Sequence, residues 1–241
     1  MGRGVPISTP VRDQLLQGPC YIFATVAALE SKAIQSGLSN VDLYEWNLYS
    51  KQVIGSRTGS GHVMVTSLLN HAQTNGVYDI TGVQMPSLND LPNLNDPLVP
   101  GIADFSSCIS NLNSSYYAQV PEGNCLDDDD KTFELAPFSG YKYTFNKTGA
   151  GYILDTDPNP FEMRNLLNQG NGLIAFFDQW DNTSTSHAVF IYGYNGSDWK
   201  YKDSWPGNPG NKQTALDITK CTRFYYLTGG VTSNMPATCS G

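Results

Sequence analysis

The sequence has no long hydrophobic run, few basic residues and few histidines. No stretch of about 18 consecutive apolar residues occurs, so no segment is expected to cross a membrane as a helix. Only 14 of the 241 residues are Lys or Arg, against 22 Asp or Glu, and the formal net charge is −8. Because there is no basic stripe to neutralise phosphates, nucleic acid is not an expected partner.

Ligand patterns for the common cofactors are also missing. We find no zinc-binding spacing, no phosphate-binding glycine loop and no nucleotide fingerprint, and we therefore expect no metal and no organic cofactor. The acidic run from Asp127 to Lys131 does not have the alternating oxygen ligands and the distant glutamate of an EF-hand. A solvated turn is the simplest interpretation of this run. Calcium binding, and cleavage after Lys131 by another protease, are the alternatives.

One cysteine, Cys20, stands where a loop becomes a predicted helix. Pro19 suits the first turn of that helix, and Gly37 predicts its end. Apolar residues recur between them at three- and four-residue steps: Ile22, Phe23, Val26, Ala27, Leu29, Ala33 and Ile34. The N-terminus of a helix lowers the pKa of a thiol and so favours the nucleophilic thiolate. A buried structural cysteine is the alternative interpretation.

A nucleophilic cysteine needs a base, and the chain has only 3 histidines. His62 and His71 lie in or near a second predicted helix, from Val63 to Asn75, and are interpreted as surface or packing residues. His187 follows Ser186 and opens a strand of alternating pattern. An Asn-Gly step and a second strand follow, so this segment is predicted to be a β-hairpin.

The expected register of this hairpin pairs His187 with Asp203. We expect a three-residue loop, Tyr194 to Gly196, because glycine takes the left-handed position of such a loop at little cost. That loop pairs Gly193 with Ser197 and sets His187 directly opposite Asp203, on the same face of the hairpin. Asp203 would then orient one ring nitrogen and leave the other for the cysteine. A loop of two or four residues would put the pair on opposite faces.

Two separate motifs of the chain resemble those of the papain family of cysteine peptidases. The first is a glutamine six residues before the nucleophilic cysteine, a Gly-x-Cys step and a long helix, here Gln14, Gly18-Pro19-Cys20 and the helix from Tyr21. The second is a histidine, an alternating strand and a Lys-Asn-Ser-Trp run, here His187-Ala188-Val189, Gly193-Tyr194 and Lys202-Asp203-Ser204-Trp205. Both motifs stand in the order that the family has.

The chain also departs from the family pattern. The orienting residue, usually Asn, is Asp203, whose carboxylate should hold an imidazolium more tightly and favour a thiolate–imidazolium pair. Tyr21 replaces the usual Trp, and Gln17 replaces a cysteine that normally forms a disulfide. Gly59 and Gly61 loosely match the glycines that line the family's substrate cleft, and a plain loop is an equally good interpretation of them.

Four cysteines remain apart from Cys20, and they can form two disulfides. One of three possible pairings joins sequence neighbours, Cys108 with Cys125 and Cys221 with Cys239. Glycosylation sequons begin at Asn113, Asn146, Asn182 and Asn195. These features predict an extracellular protein, or one of a lysosome- or vacuole-like compartment. The chain begins shortly before Gln14, as mature members of the family do after they lose a signal and a pro-segment.

The resemblance implies an α+β fold of two lobes within a single papain-like catalytic domain, residues 1–241. Residues 10–100 are expected to form a mainly helical lobe, and residues 101–241 a mainly antiparallel, β-barrel-like lobe. The active-site cleft would lie between the two. Within the lobes, sequence patterns predict helices at 40–54, 63–75 and 160–168 and a buried strand at 172–177.

The same resemblance implies a cysteine protease that hydrolyses peptide bonds through a thioester acyl-enzyme. Cys20 would attack the carbonyl, His187 would transfer protons and Asp203 would orient the imidazole. The Gln14 side-chain amide and the Cys20 backbone N–H would stabilise the oxyanion. Trp205 would shield the His187–Asp203 hydrogen bond from water, and simple core packing is the alternative role for Trp205.

The expected activity is that of a monomeric endopeptidase acting on a peptide or protein substrate. A pro-segment and a protein inhibitor are further candidate partners. Three alternatives stay open. The acyl acceptor could be an amine, as in transglutaminases. The chain could be an inactive binding module on a peptidase scaffold. It could also trim chain ends instead of cutting internally.

Overall fold

The computed structural model describes residues 4–7, 11, 20–43, 45, 48, 61–79, 142–180, 185–205 and 208–234. Its longer helices are α1 (Cys20–Gln35), α2 (Gly61–Thr74) and α3 (Pro160–Asn168), and a 3₁₀ turn covers Ile218–Lys220. The strands are β1 (Val77–Tyr78), β2 (Lys142–Asp155), β3 (Leu173–Phe177), β4 (His187–Asn195), β5 (Asp198–Asp203), β6 (Gly210–Thr214) and β7 (Cys221–Ser233).

Most local predictions in the described part are confirmed. Helix α1 begins at Cys20, α2 covers most of the predicted 63–75 segment, and α3 has the predicted bounds. Helix α3 begins where it does because the Asn159 side chain accepts hydrogen bonds from the first-turn N–H groups and Pro160 suits the first position. The predicted 40–54 helix lies largely outside the described residues.

The seven strands form one antiparallel sheet in the order β1-β2-β7-β3-β4-β5-β6. The α+β class is therefore confirmed. The sheet is open, however, and the expectation of a barrel-like lobe is wrong in this respect. Within the described residues β1 and β6 are its two edges, and no ladder joins them. The division into lobes at residue 100 remains a prediction, because residues 80–141 lie outside the described part.

The central strands bury side chains on both faces, which explains their nearly continuous apolar sequence. One face packs against α1, which is itself buried from Ile22 to Ser31. The side chains of β3 and β4 on that face are Ile174, Phe176, Ala188 and Phe190. The opposite face packs against α3 and carries Leu173, Ala175, Phe177, Val189 and Ile191. Helix α1 and the β4–β5 hairpin are thus held against each other through a continuous core.

The β4–β5 hairpin does not have the predicted three-residue loop. Asn195 pairs with Asp198, so the loop is Gly196 and Ser197, with Gly196 at φ 60°. A positive φ at the first loop position is typical of a type II′ turn. Left uncorrected, this loop would put His187 and Asp203 on opposite faces. A bulge at Tyr192 corrects the register, because Gly193 pairs with Lys200 whereas Ile191 pairs with Tyr201.

An N-terminal segment is bonded to this bulge. The Val5 N–H donates to the Tyr192 carbonyl at 2.7 Å, and Gly4 forms an isolated bridge with Gly193. The approach is close, since a Cβ on Gly4 would lie 2.5 Å from the Tyr192 oxygen. The Tyr192 carbonyl thus has a hydrogen-bond donor outside the hairpin.

The structure corrects one half of the predicted disulfide pairing. Cys221 is a free thiol, buried in the core beside Phe224 and 3.4 Å from the Arg223 carbonyl, so its predicted bridge to Cys239 is not formed. The other three cysteines of that prediction lie outside the described residues: Cys108, Cys125 and Cys239. No helix in the described part of the chain is long and apolar enough to span a membrane.

Candidate active site

Cys20 is the first residue of α1, where helix α1 meets the start of β4. Its side chain is half-buried and packs on the core beneath the helix. The backbone N–H groups of Ala188, Tyr21 and Cys20 itself lie close enough to the sulfur to lower the pKa of the thiol. Ala188 directly follows His187, so the structure brings the sulfur beside the backbone of the predicted base.

The predicted lowering of the thiol pKa is not realised in this environment. Burial raises the pKa of Cys20 from 9.0 to about 11, and the charge of Asp203 adds to this, although the three N–H groups lower the pKa. Loss of water therefore outweighs the stabilisation that the backbone gives to a thiolate. With its pKa raised to about 11 the thiol form is favoured at neutral pH, and ionisation there requires a nearby proton acceptor.

His187 and Asp203 form a buried hydrogen-bonded pair, as the sequence predicts. Nε2 of His187 lies 2.9 Å from Oδ1 of Asp203. The two residues are diagonal neighbours, because the bulge aligns Phe190 with Lys202 and leaves His187 two positions beyond the residue that faces Asp203. Nδ1 of His187 is buried and has no hydrogen-bond partner among the described residues. Within that part of the chain no hydrogen bond joins this ring to the Cys20 sulfur.

Two tryptophans enclose the imidazole of His187. The Trp205 ring lies edge-on to it, with ring centroids 4.9 Å apart, and the Trp180 ring is tilted against it at 4.7 Å. The backbone N–H of Trp205 also donates to Oδ1 of Asp203 at 2.9 Å. Trp205 thus has the position expected of a shield. Trp180 was missed in the sequence, where it stands alone after a strand and carries no motif that could have revealed it.

A buried ion pair connects the element that carries Cys20 with the strand that carries Asp203. Nζ of Lys202 lies 3.1 Å from Oε2 of Glu30, and both side chains are nearly inaccessible to water. Glu30 also accepts a hydrogen bond from the Leu43 N–H at 3.1 Å. Because Lys202 precedes Asp203 on β5 and Glu30 belongs to α1, this pair fixes the hairpin against the helix.

The remaining residues predicted for the site lie at several places in the chain. Gln14 and Gly59 lie outside the described residues, and Gly61 is the first residue of α2. Ser186 is exposed and comes directly before β4. His71, on α2, contacts Asn75 just beyond the end of that helix, at 3.1 Å between Nδ1 of His71 and Nδ2 of Asn75, and is not part of the His187 cluster. Among the described residues no group of His, Cys, Asp and Glu could hold a metal ion.

Solved structures match this fold over most of the chain. One comes from work on the mite allergens Blo t 1 and Der p 1; it is 16% identical, with a TM-score of 0.54, and the match covers 92% of this chain and 67% of that one. Another is the bromelain protease from Ananas comosus in complex with the E64 inhibitor, 19% identical, with a TM-score of 0.51 and coverages of 92% and 94%.

The chain has the papain-like cysteine protease fold. This confirms the fold that the two sequence motifs predicted. No family model matches the sequence, and no curated protein matches it either. At identities below one fifth, the structural likeness speaks for the papain-like fold alone.

Proposed function

We propose that this protein is a cysteine protease that hydrolyses peptide bonds with Cys20 as nucleophile, His187 as acid–base and Asp203 as orienting residue. One observation carries the proposal. The buried His187–Asp203 pair is packed between two tryptophans, and the N–H of the next residue, Ala188, lies close enough to the Cys20 sulfur to lower the pKa of the thiol. These contacts support a site in which a nucleophile, a base and its orienting group would lie together where the N-terminus of a helix packs against a hairpin.

The reaction can be written from these groups. The Cys20 thiol gives its proton to Nδ1 of His187, and the sulfur attacks the substrate carbonyl. The C–N bond breaks as the imidazolium protonates the leaving amine, which leaves a thioester on Cys20. Water, deprotonated by the same imidazole, then releases the acid and restores the thiol. Gln14 and the Cys20 N–H are proposed as the oxyanion donors.

The environment of His187 supports this acid–base role. An Asp203 carboxylate bonded to Nε2 leaves Nδ1 as the nitrogen that exchanges the proton. Nδ1 is buried and has no other partner in the described part of the chain, so it is free to accept the thiol proton. The proposal requires the sulfur to turn from the Ala188 N–H toward this nitrogen when substrate binds.

A second candidate function is that of an inactive binding module on a peptidase scaffold. The raised pKa of Cys20, about 11, and the missing thiol–imidazole hydrogen bond in the described residues favour it. Catalytic hydrogen bonds often tighten only in the substrate complex, so the protease proposal expects the thiol–imidazole bond to form when a peptide binds. Measured turnover is therefore needed to choose between the two functions.

Digestion of a peptide library by the wild type and by Cys20→Ala separates these possibilities. Hydrolysis that is lost in the variant is the expected result, and fragments from the middle of the peptides would indicate an endopeptidase. A primary amine added to the reaction tests transglutaminase-like transfer, since an amide product would then appear. Absence of any Cys20-dependent product would leave the binding module as the function.

The compartment and the oligomeric state belong to the same proposal. We expect a monomer, outside the cell or in a lysosome- or vacuole-like lumen. The exposed side chains of Asn146 and Asn195 carry two of the sequons. Size-exclusion chromatography with light scattering tests whether the protein is a monomer. A mass decrease after enzymatic deglycosylation of protein from its native source tests whether it passes through the secretory route.

A further inference from the structure

Arg164 lies on α3 and reaches over the tip of the β4–β5 hairpin. The centre of its guanidinium is 5.3 Å from the centroid of the Tyr194 ring and 5.1 Å from that of the Trp199 ring. Tyr194 and Trp199 are paired across the two strands, and their rings are tilted by 56° with centroids 6.4 Å apart. The Tyr194 hydroxyl donates to the Asn168 side-chain oxygen at 3.0 Å, which bonds the hairpin to the helix beside the arginine. Cation–π attraction therefore holds the guanidinium over two rings that are themselves held in place.

The guanidinium of Arg164 has no polar partner in the described part of the chain. Nε is buried and makes no hydrogen bond. No ion pair or hydrogen bond joins the terminal nitrogens to a described residue, and the side chain as a whole is only half-buried. A buried donor without an acceptor is rare in folded proteins and needs an explanation. An arginine whose charge is not paired within the chain is available to an anion from outside, with donors that match a carboxylate.

The acidic residues that stand beside this site in the sequence point away from it. Glu162 is two positions before Arg164 on α3, which places it about 200° further round the helix axis. Asp198 precedes Trp199 on β5, and successive residues of a strand point to opposite faces of the sheet. Although the chain carries a formal net charge of −8, no described carboxylate lies within ion-pair distance of Arg164.

An exposed aromatic ring stands beside Arg164 on the same side of α3. Phe161 is three residues earlier, hence about one turn away on the same helix face, and it is 75% exposed. Arginine and aromatic side chains are enriched at the centres of protein–protein interfaces. A free inorganic anion would use the guanidinium but not the Phe161 ring. The combination favours a peptide ligand that carries a carboxylate beside an apolar side chain.

The Arg164 surface, formed by Phe161, Arg164, Tyr194 and Trp199, lies away from the proposed catalytic residues. Tyr194 and His187 are near opposite ends of β4, roughly 20 Å apart at the rise of an extended strand. A ligand on this surface would therefore leave the imidazole uncovered. The sequon residue at the hairpin tip follows Tyr194, so its side chain points to the other face of the hairpin, and a glycan there would be attached on that face.

We infer that the Arg164 surface is a docking site for an acidic segment of a partner protein. A carboxylate of that segment pairs with the terminal nitrogens of Arg164, and an apolar side chain next to it packs on Phe161. The inference goes beyond the proposed function and does not rest on it, because docking at this surface needs neither Cys20 nor His187.

Peptide binding to Cys20→Ala tests the inference without turnover. The probes are acetylated pentapeptide amides, Gly-Leu-Xaa-Leu-Gly, in which Xaa is Glu, Gln or Lys. The sequence has five arginines, so nitrogen-15 spectra of the arginine side chains contain five Nε–H signals, and Arg164→Lys identifies the signal of Arg164. We expect the Glu peptide to shift this signal and to bind about tenfold more tightly than the Gln peptide, the effect of charge-assisted hydrogen bonds. Added salt should weaken the binding of the Glu peptide.

Two further variants and a matched control connect this preference to the surface. Arg164→Gln should bring the affinities for the Glu and Gln peptides close to each other. Phe161→Ala should weaken the binding of both peptides, and it stays informative if Arg164→Gln unfolds the protein by uncovering Trp199, because Phe161 is exposed. Leu154→Ala is the control and should bind as the parent does. Leu154 is also an exposed apolar residue, but it pairs with Tyr225 of the core against α1 and so lies on the opposite face of the sheet.

Several results would overturn the inference. These are equal affinities for the Glu and Gln peptides, tighter binding of the Lys peptide, and a preference for Glu that survives Arg164→Gln. Inorganic phosphate is the last probe. If it shifts the Arg164 signal as strongly as the Glu peptide does, and Phe161→Ala binds the Glu peptide as the parent does, the surface takes free anions and the peptide site is excluded. Hydrolysis by the wild type, present or absent, changes none of these outcomes, so failure here is distinct from failure of the proposed function.

Discussion

Glu30 on α1 and Lys202 on β5 form an ion pair of 3.1 Å inside the protein, across 172 residues of sequence. Lys202 precedes Asp203, and Glu30 belongs to the helix that begins at Cys20. The pair therefore helps to fix how the helix of the proposed nucleophile packs against the hairpin of the proposed base. Both side chains are buried, so under the proposed function their effect on catalysis would be one of positioning.

Removal of one partner of this pair should destabilise the fold strongly. Lys202→Met or Glu30→Gln removes one member of a buried ion pair, and such changes cost about 3–5 kcal/mol of the free energy of unfolding. The double variant should lose less than the sum of the two single variants. Urea denaturation of all four proteins measures this coupling. Lys147→Met, at an exposed site, is the control and should change the unfolding free energy little.

Asp203→Ala should reduce hydrolysis much more than Asp203→Asn. Alanine cannot orient the imidazole, and we expect a loss of about 10²-fold or more in kcat/KM, the size of a general acid–base contribution. An asparagine side-chain oxygen can still accept from Nε2, so that variant should retain most of the activity. Equal losses in the two variants would show that charge matters more than orientation. Circular dichroism of both proteins controls for misfolding.

Trp180 should matter for both stability and turnover. It is 6% exposed and contacts Phe177, His187 and Tyr201, so Trp180→Ala should cost about 3–5 kcal/mol of unfolding free energy. Trp180→Phe keeps a ring against the imidazole and should restore most of the stability and of kcat/KM. A shielding role would also change the pH profile of kcat/KM in the alanine variant. An unchanged profile would reduce Trp180 to a packing residue.

The reactivity of Cys20 should depend on His187. With a thiol pKa raised to about 11, little thiolate exists at neutral pH unless the imidazole accepts the proton. Alkylation by iodoacetamide, mapped by peptide mass, should therefore proceed near neutral pH in the wild type. In His187→Ala it should rise only toward pH 11. Identical pH profiles would mean that the two residues do not interact. Buried Cys221, with its pKa raised to about 12, should react slowly in both proteins.

The raised pKa of Cys20 also makes the free energy of unfolding depend on pH in the alkaline range. The folded state holds the Cys20 proton more tightly than the unfolded chain does, since the pKa rises from 9.0 to about 11. The resulting stabilisation is complete below about pH 9 and is lost as the pH increases toward 11. The decrease in unfolding free energy over this range should be smaller in Cys20→Ala than in the wild type. A parallel decrease in both proteins would contradict the assigned shift.

Sequence reasoning succeeded where local pattern decides the structure. The apolar spacing after Cys20 predicted α1, and the residues around Pro160 predicted α3, because both helices are specified within a few residues. Contacts between distant segments could not be predicted in this way. Trp180 against His187 and Glu30 against Lys202 depend on how packed elements meet, and no spacing in the chain encodes them.

The hairpin shows how a correct contact can follow from an incorrect intermediate. The His187–Asp203 pair was predicted from a three-residue loop, but the loop has two residues and the bulge at Tyr192 restores the register. The carbonyl of the bulged residue accepts a hydrogen bond from the Val5 N–H, far away in the chain. The prediction of a lowered pKa for the Cys20 thiol is wrong for a related reason. The N-terminus of a helix can be recognised in the sequence, whereas burial of the thiol depends on the whole fold.

The bulge at Tyr192 constrains how this hairpin can change length. A two-residue turn with one bulge and a three-residue turn without a bulge both leave the imidazole and the carboxylate on one side of the ribbon. A single insertion or deletion at the tip would separate them unless a second change occurred on β4. Relatives with this fold should therefore change the length of the hairpin loop and the number of bulges on β4 together.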